Sequence, residues 1–132
     1  MKKYILAIII SLLMFGCSSS SDDFKFYQNI KVAKDGSVSV SGELTDHDNL
    51  PVTYHKVYFN KKGKVTKEYY QESGKTKRSS SYEYENGKIM TVKHFDGGKY
   101  NGISEYVYGM DGLIEKEMMY DREMNFLFAK KL

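Results

Sequence analysis

The hydrophobic pattern divides the chain between Asp23 and Phe24. Ahead of that point, Tyr4 to Phe15 is apolar at every position except Ser11, with Lys2-Lys3 before it and Gly16-Cys17 after it. The run has no polar face, so it is not the amphipathic stripe of a surface helix. Beyond Phe24 the apolar residues come singly or in alternation. That is the period of strands with one buried and one wet face.

The alternating part is punctuated by four glycines at turn positions, Gly36, Gly63, Gly87 and Gly112. Asn86-Gly87 is a strong signal for a two-residue hairpin turn, which needs positive φ at both central residues. It sets Glu85 opposite Lys88, Tyr84 opposite Ile89 and Tyr82 opposite Thr91. Lys34-Asp35-Gly36, Lys61-Lys62-Gly63 and Met110-Asp111-Gly112 fit three-residue loops ending in a left-handed glycine. They set Val32 opposite Val38, Phe59 opposite Val65 and Tyr108 opposite Ile114, with Ile30 opposite Val40 one step further along the first hairpin. Residues two apart share a face, so Tyr82 lies with Tyr84 and Tyr106 with Tyr108. Ser37, Ser39, Ser41, Glu83, Glu85, Glu115 and Glu117 fall on a wetter face, interrupted by Met90, Val92 and Val107.

These hairpins, joined by short turns at Ser73-Gly74, Gly97-Gly98 and Asp121-Arg122, predict an all-β domain. It is an antiparallel meander of about eight strands from four repeated hairpins, either an open curved sheet or a small barrel. Asn125 to Ala129 offers a ninth strand or a turn or two of helix. Thr45 to Pro51 reads as a longer polar loop.

The amino terminus has a different logic. Tyr4 to Phe15 is too short to cross a bilayer, which takes about 20 residues. A basic start, a short apolar core and a small residue before a cysteine resemble the lipobox signal of bacterial lipoproteins. The resemblance implies removal of residues 1–16, lipidation of Cys17 with palmitate-type acyl chains, and attachment to a bacterial envelope membrane. In a host with two membranes that means the outer membrane or cell surface. Ser18 to Ser21 with Asp22-Asp23 cannot build a core and reads as a tether, which places the boundaries at 17–24 for anchor and tether and 25–132 for the β domain. Cys17 is the only cysteine, so no disulfide forms within the chain.

The Tyr-x-Tyr, polar turn, Gly and aliphatic pattern in Tyr58 to Tyr70, Tyr82 to Phe95 and Tyr106 to Tyr120 resembles the YD-repeat and MORN-like repeats of bacterial exported proteins. That resemblance implies a binding or scaffold role rather than a reaction.

Charge adds little pull toward nucleic acid. The chain has 20 basic and 17 acidic side chains, and two of the basic ones, Lys2 and Lys3, leave with the signal. Twelve tyrosines and no tryptophan suit half-wet strands. No phosphate loop, dinucleotide fingerprint or cysteine metal spacing occurs, so no cofactor, metal or catalytic set is expected. The one cluster of catalytic residue types, Asp46-His47-Asp48 with His55, reads better as a solvated loop before Pro51 and leaves a hydrolase as the alternative.

Two surfaces remain as candidates for contact. Phe59, Tyr69, Tyr82, Tyr84, Tyr106 and Tyr108 form the core if the sheet curls, or an aromatic platform for an envelope protein or glycan if it stays open. Lys61-Lys62-Gly63-Lys64, with Lys75, Lys77 and Arg78, could meet anionic glycan or lipid headgroups. The expected function is therefore a membrane-anchored envelope lipoprotein with a non-catalytic binding or scaffold role. The alternatives are a small-molecule carrier in a closed barrel, a hydrolase, or an immunity or antitoxin-like protein.

Overall fold

The computed structural model describes residues 24–44 and 47–132, the His47 side chain excepted. Cys17, the apolar run, most of the tether and Asp46 lie outside the described residues. The strands are β1 (Phe24–Tyr27), β2 (Asn29–Val32), β3 (Val38–Ser41), β4 (Thr53–Phe59), β5 (Val65–Glu72), β6 (Lys75–Glu85), β7 (Lys88–Asp96), β8 (Lys99–Tyr108), β9 (Ile114–Asp121) and β10 (Phe126–Lys131), with one 3-10 turn at His47–Asn49. Among the described residues no helix is long and apolar enough to cross a membrane.

The fold is an all-β antiparallel meander. Eight strands form one sheet in the order β1-β4-β5-β6-β7-β8-β9-β10, and β2 and β3 pair only with each other. The sheet is open, because β1 and β10 are its two edges. A closed barrel, the condition for a carrier, is not formed. The tail makes a strand, β10. Phe24, at the end of the expected tether, already pairs with Tyr58.

The four hairpins are thus not equivalent. The Gly36 hairpin leaves the sheet plane after Tyr27 and packs over one face. Its register is the expected one, Val32 opposite Val38 and Ile30 opposite Val40. Ile30, Val38 and Val40 pack on buried Tyr27, Val57 and Val65. Val32 and Val38 pack on buried Ile89, Val92, Tyr106 and Ile114. Lys31, Ser39 and Ser41 stay exposed. The hairpin tip reaches the far strands: the Ile89 and Ile114 amides donate to the carbonyls of Gly36 (2.9 Å) and Lys34 (2.7 Å). Burial of this apolar seam is the main stabilising term, at about 25 cal/mol per Å² removed from water.

Bulges decide which side chains reach that seam. Every strand from β5 onward carries one extra residue near its start: Thr66, Lys77, Met90, Asn101, Glu115 and Leu127. Each bulge shifts the pairing by one and sharpens the twist. Tyr84 opposes Ile89 and Phe59 opposes Val65, as expected, but Tyr82 opposes Val92 and not Thr91. Val92 is thereby turned from the wet face into the core, 4 % exposed. Glu117 moves the same way, to lie opposite Tyr106.

The turns repeat a chemistry of their own. Asn60, Gly109 and Asp121 each open a loop of the same type, with the amide three or four residues on returning to the opening carbonyl or side chain. The lysine after a turn glycine ties one hairpin to the next. Lys64 Nζ donates to the Gly87 carbonyl (3.2 Å), and Lys88 Nζ to the Gly112 carbonyl (2.8 Å). The same ammonium groups lie 5.9 Å and 5.3 Å from the ring centres of Tyr84 and Tyr108.

Candidate functional site

The two faces of the sheet carry different chemistry. On the face that the Gly36 hairpin covers, Phe59, Tyr82, Tyr84, Tyr106 and Tyr108 gather around the buried clusters. They are core packing. Tyr108 donates to the Ile89 carbonyl (2.5 Å), and Tyr106 donates to Glu117 Oε2 (3.3 Å). Burial holds the Tyr82 and Tyr106 phenols well above the usual value, reinforced by the carboxylates of Glu68 and Glu117 respectively. Burial alone pushes Tyr84 up to about 12.

Beyond the hairpin this face becomes a half-buried polar row. His55 Nε2 lies 3.6 Å from Glu68 Oε2, with both side chains 15 % exposed. Burial raises the Glu68 carboxyl, opposed by His55, a hydrogen bond from Tyr82, and Arg78. His94 Nε2 is 2.7 Å from Ser104 Oγ, which donates to Met119 Sδ at 2.8 Å. Burial lowers the His94 imidazole, partly offset by Glu117. This serine–histidine pair has the reach of a nucleophile and base, but Ser104 is 0 % exposed and its oxygen is turned into packed sulfur. Of the cluster Asp46-His47-Asp48 with His55, Asp48 lies exposed on the 3-10 turn and His55 has Glu68 as its partner, while Asp46 and the His47 side chain lie outside the described residues. Among the described residues no three His, Cys, Asp or Glu side chains gather as a metal site.

The opposite face is open apart from Phe26, which is buried at its β1 edge, and register alone builds it. One rung runs Phe26, Lys56, Tyr69, Ser79, Phe95, Tyr100. The next crosses all eight strands: Phe24, Tyr58, Lys67, Ser81, Lys93, Ile103, Tyr120, Phe126. Aromatic contacts tie these rungs into two blocks. Phe24–Tyr58 (5.3 Å), Phe26–Tyr54 (5.2 Å) and Tyr58–Tyr69 (5.7 Å) make the first. Phe95–Tyr100 and Tyr120–Phe126, both at 5.9 Å, make the second. Lys56 Nζ sits 4.1 Å from the Phe24 ring centre.

Between the blocks runs a furrow floored by β6. Ser79 and Ser81 are its small floor residues, Tyr69 and Phe95 its walls, and Lys67 and Gly98 line it, around a hollow of about 250 Å³. Tyr69 and Phe95 stand two strand spacings apart, roughly 9.6 Å at ~4.8 Å per spacing. A planar or pyranose ring standing between them would meet aromatic surface on either side, with hydroxyls below and an ammonium beside it.

Sequence reasoning grouped Tyr69 with the other five aromatics; the structure places it alone on the open face. Tyr58, Phe95, Tyr100, Ser79 and Ser81 were missed as a group. Their one signal was cross-strand register, which the bulges displaced. The two lysine groups also separate. Lys61, Lys62 and Lys64 lie at one end of the sheet, and Lys75, Lys77 and Arg78 toward the other. Neither a protein-family model, nor a curated protein, nor a solved structure matches the chain.

Proposed function

We propose that this chain is a lipid-anchored protein of the bacterial envelope that binds its target without converting it, and that its open face takes an envelope saccharide. The observation that carries the ligand class is the Tyr69–Ser79–Phe95 rung, with aromatic walls around a hydroxyl floor and Lys67 beside it. Sugar C–H faces are slightly positive and suit the negative face of an aromatic ring, while sugar hydroxyls suit serine and lysine donors. The hollow is smaller than the roughly 300–1,000 Å³ of sites for drug-sized ligands. It therefore fits one ring of a longer glycan lying across the sheet.

The anchor reading rests on the Lys2-Lys3, apolar run, Gly16-Cys17 pattern. Non-catalytic action is supported by the inaccessibility of Ser104 beside His94. Titration of the lipidated full chain with cell-wall and surface oligosaccharides, followed by calorimetry, tests the ligand. Tyr69→Ala and Phe95→Ala should each abolish the heat of binding while lowering stability by about 1 kcal/mol or less. Retained binding in both variants would sink the saccharide reading.

One observation favours an envelope protein instead. All six residues of the edge strand β10 are exposed, Phe126, Leu127 and Phe128 among them. The edge β1 is covered by a bridge from Leu44, but among the described residues nothing pairs with the outer side of β10. A partner could add a strand there. Cross-linking from position 128 in whole cells separates the two readings.

A further inference from the structure

The two rungs that build the furrow hold three lysines and no carboxylate. Lys56 stands on the first, and Lys67 and Lys93 on the second. The acids of the open face stand away from them. Glu83 and Glu105 lie opposite Thr91 on the next rung, and Glu85 lies opposite Lys88 at the Asn86 turn. Glu115, the bulged residue of β9, is three strands from β6, in the same corner as Lys116 and Lys131. On the other side of the furrow, Tyr54, Gln71 and Thr76 carry no charge. Strand alternation takes Glu68, Glu72 and Asp96 to the covered face, where Asp96 lies opposite Arg78 and Lys99. The bulge in β6 adds a cation, Lys77, and no acid.

Two of the three lysines are already engaged. Lys93 Nζ lies 3.1 Å from Glu83 Oε1, and Lys56 Nζ lies over the Phe24 ring. Lys67 is exposed and makes no ion pair among the described residues. It lines the hollow with Tyr69, Ser79, Ser81 and Phe95, and no acidic side chain lines it.

Register fixes where the unpaired charge sits. Lys67 is directly opposite Ser81, so their Cβ atoms are about 5 Å apart. Ser81 lies two residues beyond Ser79, which is the floor between the aromatic walls, about 6.8 Å at ~3.4 Å per residue. A pyranose ring over Ser79 and a carboxyl group on that ring can bridge this span. A neutral ring filling the hollow would strip water from the Lys67 ammonium and return only neutral hydrogen bonds. A carboxylate there replaces the lost water with a charge-assisted bond.

We propose that the furrow is selective for an acidic saccharide, a uronic-acid unit whose ring stands between Tyr69 and Phe95 and whose carboxylate is taken by the Lys67 ammonium and the Ser81 hydroxyl. This rests on the saccharide reading above and adds the charge of the ligand and the residue that reads it. One ammonium balances one carboxylate, so the unit at this position carries a single negative charge.

Titration calorimetry of the full chain tests the selectivity. The probes are uronic-acid oligosaccharides, the same oligosaccharides as methyl esters, and neutral cell-wall oligosaccharides. The acids should bind about tenfold more tightly than their esters, the scale of one hydrogen bond between charged groups. Lys67→Gln should remove that preference and leave the affinity for the esters unchanged. Lys116→Gln, also on the open face but on β9, should leave the preference intact. Added salt should weaken the acids and spare the esters. Equal binding of acids and esters, preferred binding of neutral oligosaccharides, or a preference that survives Lys67→Gln overturns this proposal while the saccharide reading stands. An equal loss of preference in Lys116→Gln overturns the assignment to Lys67 in the same way. If no saccharide binds, the saccharide reading falls, and the proposal with it.

Discussion

The two faces of the sheet use the same residue types for opposite ends. Tyr82, Tyr84, Tyr106 and Tyr108 on one face are roofed by a hairpin and become core. Tyr58, Tyr69 and Tyr100 on the other pack edge-to-face with their neighbours and stay half wet. Composition does not separate them; the roof does. A lone sheet cannot bury two faces, so a chain of this size stabilises one and leaves the other available for contact.

The comparison breaks most visibly on the buried side. Ile89→Ala, at a fully buried position, should cost about 2–5 kcal/mol of stability in urea unfolding. Tyr69→Ala should cost about 1 kcal/mol or less, the scale of a cross-strand pair. A loss at Tyr69 equal to that at Ile89 would mean the open face is core as well.

The roof itself can be loosened. Gly36 has φ +87°, and a Cβ there would meet the Tyr108 hydroxyl. Gly36→Ala should destabilise by about 1–3 kcal/mol and speed hydrogen exchange at the Ile89 and Ile114 amides, which the hairpin tip now protects. Unchanged exchange would mean the tip does not hold the sheet.

Acid should act on the covered face through His94. Its folded-state value lies below the ordinary 6.5, so the unfolded chain binds the proton more readily and stability falls as pH drops from 7 through that region. Glu68 works in the opposite sense, since its raised value makes the folded state hold its proton longer and stability fall as pH rises above the ordinary carboxyl range. The His94→Gln variant should therefore lose the acid-side fall in midpoint. A wild-type slope retained in the variant would assign it elsewhere.

The smallest effect belongs to a turn serving neither face. Met124 has φ 67° in a loop that repeats the Gly63 and Gly112 turns. Met124→Gly should relieve about 1 kcal/mol, read as a small rise in melting temperature with binding unchanged.

Much of the local structure was legible. Asn86-Gly87 and the three-residue glycine loops announced their turns, and those turns set Val32 against Val38, Phe59 against Val65 and Tyr108 against Ile114. Turn geometry depends on a few neighbouring residues, so it is written locally. The tail and β1 were less plain, because four to six residues of mixed pattern take their state from the strand beside them.

The candidate site was legible only in kind. Aromatic rings, serines and lysines were evident as contact chemistry, but which rings share a face was not. A single extra residue such as Met90 exchanges faces for all that follow it, and this exchange sent Val92 into the core. Sequence by itself determined the hairpins, their turns and the resemblance of Cys17 to a lipid-anchor site, since each rests on residues close together in the chain. Only the tertiary structure decided that the first hairpin is a roof rather than a pair of sheet strands, and so which aromatics are buried and which are offered. That choice depends on contacts between Gly36 and Ile89 and between Lys34 and Ile114, whose cost and gain are settled by packing across the whole sheet.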